Sequence, residues 1–514
     1  MDNYGILSLA PALIAVILAF ITREALFSIL CGVLVGLLIT GQDLLFGFTG
    51  LIQSALGNAD YIWVIGIEVF IGIMVAFFQK SGAIEAVANK LNEKLHITPR
   101  IAQTMGAALG ILVFFSDYFS PLFVGNVMRP ITDKAKVSRE KLAWLCDCTS
   151  APVCITLPFT AWGVYVAGLV VGFGTFATAD AGQAAVIHSI PFQLYGILTI
   201  VMILLVALGF LPDYGPMKKA EDRALLTGKL FRDGAEIRRE VEQEELPEGA
   251  KPSIWNMLVP VIVLLVFIFV GLFYTGDIKT NGIFGALANG SSLRALDTAF
   301  ILASISAIIM GMITKVWNFK KALSTFIEGC TGMMEVLMIL MLAWGIGSIC
   351  SACGTSTWIV STCESFLTPT SMCAIIFIAA CLTSFSTGSS WSVFAIFIPI
   401  AVSLAISIGA PVGMAIGVVL SGGIFGDHCS PISDTTVMSS MGSSCDHIDH
   451  VRTQLPYALT VAGSSLVGYI VSGLMKGGAF VGLAITLVLI CLVSFLLNKH
   501  VGRGKDAKAA QDAA

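Results

Sequence analysis

The chain has 514 residues, of which 56% are hydrophobic and 12% charged, and its mean hydropathy is +0.88. Soluble domains carry about 25% charged residues, so a soluble globular protein with one anchor is excluded. The net charge of −4 offers no basic surplus for a nucleic-acid partner. Apolar runs long enough to span a bilayer recur from end to end. The expected class is an all-α polytopic membrane protein.

The first run, residues 6–22, has no basic stretch before it and is followed by Arg23. It reads as a retained helix and not as a cleaved leader. Further spans are expected at 25–40, 61–79, 141–172, 189–211, 255–275, 297–314, 329–349, 411–440, 453–473 and 477–497. Segments 43–57 and 316–328 are shorter and more polar, as helices lying along a membrane surface would be. The longest polar stretch, 213–254, divides the chain into halves at 1–212 and 255–475, with 476–514 as an extra helix and tail. Thirteen cysteines are scattered, mostly in apolar runs. Cys350 and Cys353 form the only CxxC, read as small residues near a helix end and not as a redox or metal pair.

The halves match in three places. GIEVFIGIMVAF (66–77) aligns with MEVLMILMLAW (334–344), which sets Glu68 against Glu335. FFSDYFSPLFVGNVMRPI (114–131) aligns with SFSTGSSWSVFAIFIPIA (384–401), setting Ser116 against Ser386 and Asp117 against Thr387. CDCTSAPVCIT (146–156) aligns with GDHCSPISDTT (426–436), setting Asp147 against Asp427 and bringing Pro152 within one position of Pro431. Internal repeats are the common plan of secondary transporters.

Loop charge sets the orientation. Basic loops stay cytoplasmic, which places 213–254, Lys315–Lys321 and the tail Lys499–Lys508 inside and the N-terminus outside. Lys90, Lys94 and Arg100 follow the Glu68 helix, whereas no Lys or Arg occurs in 347–370 after the Glu335 helix. The halves are therefore expected to run in opposite directions, as inverted repeats. Basic residues on both sides of 101–128 call for a re-entrant hairpin with SDYFSP at its tip. Residues 371–406 are its counterpart, entering from the other side with a tip at 384–390, where Gly388 and the hydroxyl cluster suit a tight turn. The runs 141–172 and 411–440 read as broken helices.

The polar breaks carry the chemistry. Ionisable groups at membrane depth are costly and mark ion paths. Asp427 and Asp434, with hydroxyls of Ser386, Thr387, Ser389, Ser430 and Ser433, supply hard oxygen ligands for a small cation such as Na+. Ser116, Asp117, Asp147 and Thr149 are the matching candidates in the first half. A carboxylate that binds either a proton or Na+ gives the simplest form of antiport. His428 is a candidate proton carrier, and equally a packing histidine. Glu68 and Glu335 read as structural acids or as part of a proton path. DHIDH (446–450) has the composition of a metal site, but its place after the span and beside Arg452 reads better as a solvated loop.

Three of these stretches, FFSDYFSP (114–121), SFSTGSSWSVFAIFIP (384–399) and SGGIFGDHCSPISDTTVMSS (421–440), resemble the NhaC-type Na+/H+ antiporter family. The resemblance covers nearly the whole chain except the termini and the linker. It implies a multi-pass protein of the cell (inner) membrane with inverted repeats, a mobile transport domain of hairpins and broken helices, a scaffold formed by 6–57 and 255–328, and a homodimer. It also implies exchange of Na+ for H+ without an organic cofactor and without enzymatic turnover. Within the resemblance, Na+- and H+-coupled exchange of organic acids such as malate and lactate is the alternative. That alternative wants a positive group in the cavity, and 384–399 and 421–440 contain no Lys or Arg. An intramembrane aspartyl protease built on Asp117 and Asp427 leaves the repeat and both hairpins unexplained. No helix shows the repeated polar face of a channel.

Overall fold

The computed structural model describes residues 4–500 apart from 23–24, 58, 84–85, 87–96, 115, 118, 159, 237–248, 252, 356–357, 359–367 and 432. The described residues form helices and no β-strand. Among the described residues, five helices are long and apolar enough to cross a membrane, and up to seven if each bent pair counts as one span.

Burial orders the helices from centre to rim. The span within Val412–Cys429 is 89% buried, whereas those within Trp255–Thr275 and Ala479–Lys499 are 28% and 22% buried. The broken helix that carries Asp427 is thus the axis of the bundle. The more apolar helices form its outer wall, where their side chains need only hydrocarbon around them. Helix Leu44–Leu56 follows Ala25–Ile39 after a turn of 118°, the geometry expected of a helix that leaves the span direction.

Helix His447–Leu474 gives a ruler across the molecule. Its 28 residues extend roughly 42 Å at the α-helical rise. The first turn docks on the linker: Asp446 accepts from the Glu236 backbone N–H (2.7 Å), and Asp449 pairs with Arg232 (2.9 Å). At the other end, a Cβ added to Gly473 would sit 2.5 Å from Thr370 Cα. The two repeats attach to this ruler at opposite ends.

The first hairpin consists of helices Pro99–Leu112 and Phe119–Lys134. Gln103 Nε2 near its start donates to Glu221 (3.1 Å), and the Ser138 N–H just past its end donates to the same carboxylate (2.9 Å). Both arms therefore begin and end on the linker face, and the hairpin re-enters. The second hairpin is Pro369–Thr387 and Ser390–Ser407. Thr368 at its start and Ile408 and Gly409 at its end line one cavity with Gly473 and Leu474, so it opens on the far face. Its tip turns at Gly388, whose φ of +68° is left-handed and favours glycine. The two hairpins thus enter from opposite faces, which is the inverted arrangement.

Some expected boundaries shift. Residues 141–172 are not one helix with a single break but three pieces, Arg139–Cys148, Ala151–Thr156 and Ala161–Val170. Pro152 in the first turn after Ser150 and Pro158 near the second gap remove backbone donors there. Helices Ala179–Ser189 and Ile278–Asn289 are additional to the expected spans. Alanine and glycine make both too weakly apolar to register as a span.

The linker is also ordered where it docks. Helix Gly215–Thr227 places Glu221 under the first hairpin. Arg223 donates to both oxygens of Glu140 (3.0 and 2.8 Å), and Lys141 pairs with Asp213. Burial pushes the Glu221 carboxyl up to about 7, with Lys141 opposing and Asp213 adding to the rise.

Two outcomes are expected. Glu221 binds its proton more tightly folded than unfolded, so its contribution is complete below its ordinary carboxylate range and is lost as pH rises through about 7. Hydrogen exchange in 215–227 should therefore quicken between about pH 6 and 8, and Glu221→Gln should flatten that dependence. Equal pH dependence in wild type and variant would show that another group controls docking. Separately, a Cβ on Gly426 would lie 2.1 Å from Phe385 N and 2.3 Å from Ser384 C, both backbone atoms, whereas Gly463 has nothing within 4 Å. Gly426→Ala should cost about 1–3 kcal/mol and lower the Tm of the detergent-solubilised protein, while Gly463→Ala should leave Tm unchanged or slightly raised.

Candidate functional site

The helix Val412–Cys429 stops because Pro431 has no N–H to continue it and Ser430 is extended, with ψ 137°. A new helix, Asp434–Gly442, begins three residues later. Asp427 sits in the last turn before this break and is buried. Ser433 Oγ donates to its Oδ1 (2.6 Å), with Thr435 Oγ1 at 3.5 Å, and Ser390 Oγ donates to its Oδ2 (2.6 Å). Thr436 Oγ1 donates to the Asp427 carbonyl (3.1 Å). Ser390 opens the helix Ser390–Ser407, so the carboxylate also faces the positive end of that helix. The break and the second hairpin tip are tied further by Ser430 Oγ donating to the Phe385 carbonyl (2.7 Å) and Ser384 Oγ donating to the Gly423 carbonyl.

The expected ligands divide accordingly. Asp427 and Ser433 come together. Ser430 is committed to Phe385. Thr387 Oγ1 turns back to the Thr383 carbonyl of its own helix (2.9 Å), and Ser389 is half-buried at the tip. Ser390 and Thr435, absent from the sequence-based set, hold the carboxylate instead. Each lies one or two residues from an expected ligand, and the hydroxyl-rich runs hid which member points inward. The side chains of Asp434, Ser386 and Glu335 lie outside the described residues.

The first half repeats the plan with different groups. Asp147 ends its helix as Asp427 does, and Ser150 Oγ donates to its carbonyl (2.9 Å). Gln454 Nε2 donates to Asp147 Oδ2 (2.7 Å), while the buried Oδ1 makes no hydrogen bond. Thr149 Oγ1 is turned to the Leu145 carbonyl (2.8 Å). At the hairpin tip Ser116 Oγ accepts from the Phe119 N–H (3.2 Å), a helix-capping role. Asp117 is buried there, and Cys154 Sγ donates to the Phe114 carbonyl (3.0 Å), joining tip to break. Glu68 is fully buried with neither carboxyl oxygen hydrogen-bonded, and it feels the charge of Asp117.

The halves meet at His428. Its Nε2 lies 2.9 Å from Cys148 Sγ and its Nδ1 lies 2.8 Å from the Tyr195 hydroxyl. Gln454 Nε2 also donates to the His428 carbonyl, so one amide bridges both breaks. The alignment of Asp147 with Asp427 also pairs Cys148 with His428. Two repeat-equivalent residues that touch lie on the pseudo-two-fold axis between the repeats. His428 has both ring nitrogens occupied, the geometry of a structural histidine.

DHIDH is not a solvated loop. Asp446 caps helix His447–Leu474, accepting from the Ile448 and Asp449 N–H groups (2.9 and 3.0 Å). His447 and His450 are buried against Ser440. The motif holds its own helix start and the linker, a use its composition does not signal. No cluster of three His, Cys, Asp or Glu able to hold a metal occurs among the described residues. Cys350 and Cys353 are buried free thiols.

Comparisons with known proteins converge on one family. The description "Na+/H+ antiporter family" matches residues 153–474. An uncharacterized protein of Haemophilus influenzae is 32% identical, with 96% of this chain and 95% of that protein covered. The malate-2H(+)/Na(+)-lactate antiporter of Bacillus subtilis is 25% identical over 36% of this chain and 38% of its own, and the arginine/ornithine antiporter ArcD of Halobacterium salinarum is 27% identical over 45% and 44%. The crystal structure of the Alcanivorax borkumensis YdaH transporter shares the fold, with a TM-score of 0.50 at 12% identity over 87% of this chain and 88% of that one. The matched residues include the second break, the second hairpin and the bridging Gln454, and the chain belongs to the Na+/H+ antiporter family as a multi-pass membrane carrier.

Proposed function

We propose that this secondary antiporter exchanges Na+ for H+, with Asp427 as the carboxylate that binds the cation. The observation that carries the reading is a buried carboxylate ringed by hydroxyls of Ser390, Ser433 and Thr435 where a hairpin tip meets a broken helix. These are neutral, hard oxygens around one charge, the donor set that suits a small hard cation at broken helices. When Na+ enters, each hydroxyl turns its lone pair to the ion and its proton elsewhere. Asp434 heads the following half-helix and is proposed to share the ion. Protonation of the carboxylate removes the charge that holds Na+, so the two ions compete for one group and move in opposite directions.

The orientation belongs to the same proposal. The linker face is cytoplasmic and the N-terminus outside, in the inner membrane. Segments 6–57 and 255–328 form the scaffold of a homodimer, against which the hairpins and breaks move. The malate/lactate relative supports a second reading in which an organic acid is exchanged with Na+ and H+. The hydroxyl ring around Asp427 favours the cation reading, and buried Lys141, a positive group that an organic acid would want, is committed to Asp213.

The test is to reconstitute the full chain in liposomes and record internal pH after adding Na+, K+, malate, lactate, arginine or ornithine separately. Na+ alone should drive proton movement, and a response that requires an organic substrate overturns the reading. Asp427→Asn should abolish Na+-driven proton movement while keeping expression and assembly. Ser433→Ala and Ser390→Ala should each raise the Na+ needed for half-maximal rate by about tenfold, since a hydrogen bond to a charged group is worth about 1.5–3 kcal/mol. Normal transport by Asp427→Asn between about pH 6 and 9 would move the site to Asp147 and Asp117. A cysteine at position 230 should label only from the cytoplasmic side.

A further inference from the structure

The cavity at the far end of the second hairpin takes no part in the cation site. It has a volume of about 850 Å³ and lies between both ends of that hairpin and the end of helix His447–Leu474. Small-molecule sites typically enclose about 300–1,000 Å³. Its walls are pinned by two close contacts. A Cβ on Gly473 would lie 2.5 Å from Thr370 Cα, and one on Gly477 would lie 2.9 Å from Pro411 Cγ. The glycines thus press the spanning helix and the turn after it directly against the hairpin and the start of helix Val412–Cys429, so the cavity is a formed feature and not a loosely packed gap.

The lining changes from polar to apolar with depth. Thr368, Thr370, Ser371 and Lys476 stand at the rim. Ala374 lies one turn deeper on the hairpin helix Pro369–Thr387, and Ile470 lies one turn, roughly 6 Å, below Leu474 on the spanning helix. Ile408 adds an apolar side chain from the other arm. Among the described lining residues Lys476 is the one charged group, and no acid accompanies it. Lys476 is exposed. Beside the cavity on the same two helices, Ile375, Ile378 and Val467 are exposed as well, a surface that membrane spans turn to hydrocarbon.

We infer that this cavity seats one anionic phospholipid, with its phosphate at the Lys476 rim and its upper acyl chain against Ile408, Ile470 and Leu474. The lysine ammonium is a compact point charge that suits a phosphate oxygen. Thr368 and Ser371 are engaged with each other as the capping box of the hairpin helix, and Thr370, outside that box, adds a hydroxyl donor to the rim. A soluble anion satisfies the rim but leaves the apolar depth wet, and a neutral lipid fills the depth but leaves Lys476 without a counter-charge. An anionic phospholipid meets both demands. Seated there, it touches both ends of the second hairpin and the end of the spanning helix at once. It therefore braces that hairpin from the far face, as Glu221 braces the first hairpin from the linker face. The inference is independent of which ions are exchanged.

The test reads binding and needs no transport. Full-length protein in detergent micelles is cross-linked with phosphatidylglycerol carrying a photoactivatable group in one acyl chain, and the labelled peptides are located by mass spectrometry. Label that unlabelled phosphatidylglycerol displaces is expected on 368–374, 408–411 and 470–476. Lys476→Gln should raise the phosphatidylglycerol needed for half-displacement about fivefold, the share of one basic residue in attraction to anionic lipid, while Lys476→Arg stays near wild type. Displaceable label that avoids these segments overturns the inference. So does displacement by phosphatidylcholine as effective as by phosphatidylglycerol, or a Lys476→Gln protein that matches wild type. Displacement by glycerol 3-phosphate at the same concentration as the lipid assigns a soluble phosphate to the rim and overturns the lipid.

Discussion

The structure depends on satisfying one carboxylate in a place that offers it no water. Asp427 is buried at the end of the most enclosed helix. An uncompensated charge there costs several kcal/mol. Its partners cannot come from its own helix, whose backbone donors are already used. They come from Ser433 beyond the break and from Ser390 at the tip of a hairpin. The helix must therefore break and the hairpin must stop at mid-depth, because a continuous helix in either place would carry one of these hydroxyls past the carboxylate. The broken helix and the re-entrant hairpin are two parts of one solution.

The same solution is used twice, with unequal chemistry. Asp427 takes hydroxyls from the tip of its own hairpin. Asp147 takes an amide from Gln454, on the helix that spans both faces. Because Gln454 also holds the His428 carbonyl, a displacement of either break is felt by the other. An inverted repeat makes that coupling useful. The first hairpin is anchored to the linker through Glu221, and the second ends at the far end of the same spanning helix.

Much of this was legible in the residues because the costs are large. Carboxylates and prolines inside apolar runs had to mark breaks, and basic residues on both flanks of 101–128 had to mark a hairpin that returns to its side. What stayed hidden was set by direction and not by composition. In SFSTGSS five of the seven residues have a hydroxyl, and one turn of backbone decides that Ser390 faces Asp427 while Thr387 bonds its own helix. Gln454 lay in a span that reads as ordinary membrane helix, and only its reach across the axis reveals its role. DHIDH was misread because charge density implies solvent unless a partner is known. The partner is the linker, 217 residues away at Arg232.

The linker explains why charges can be buried at this face at all. Arg223 on Glu140 and Arg232 on Asp449 each cover an acid that would otherwise be stranded when the bundle closes, and Asp213 does the same for the buried Lys141. Removing one member of a buried pair is far more costly than the pair is worth, so the linker is a lid that the bundle needs as much as a connection between halves. Covering these acids leaves the imidazoles of His447 and His450 behind it, shielded from water yet one helical turn from the surface.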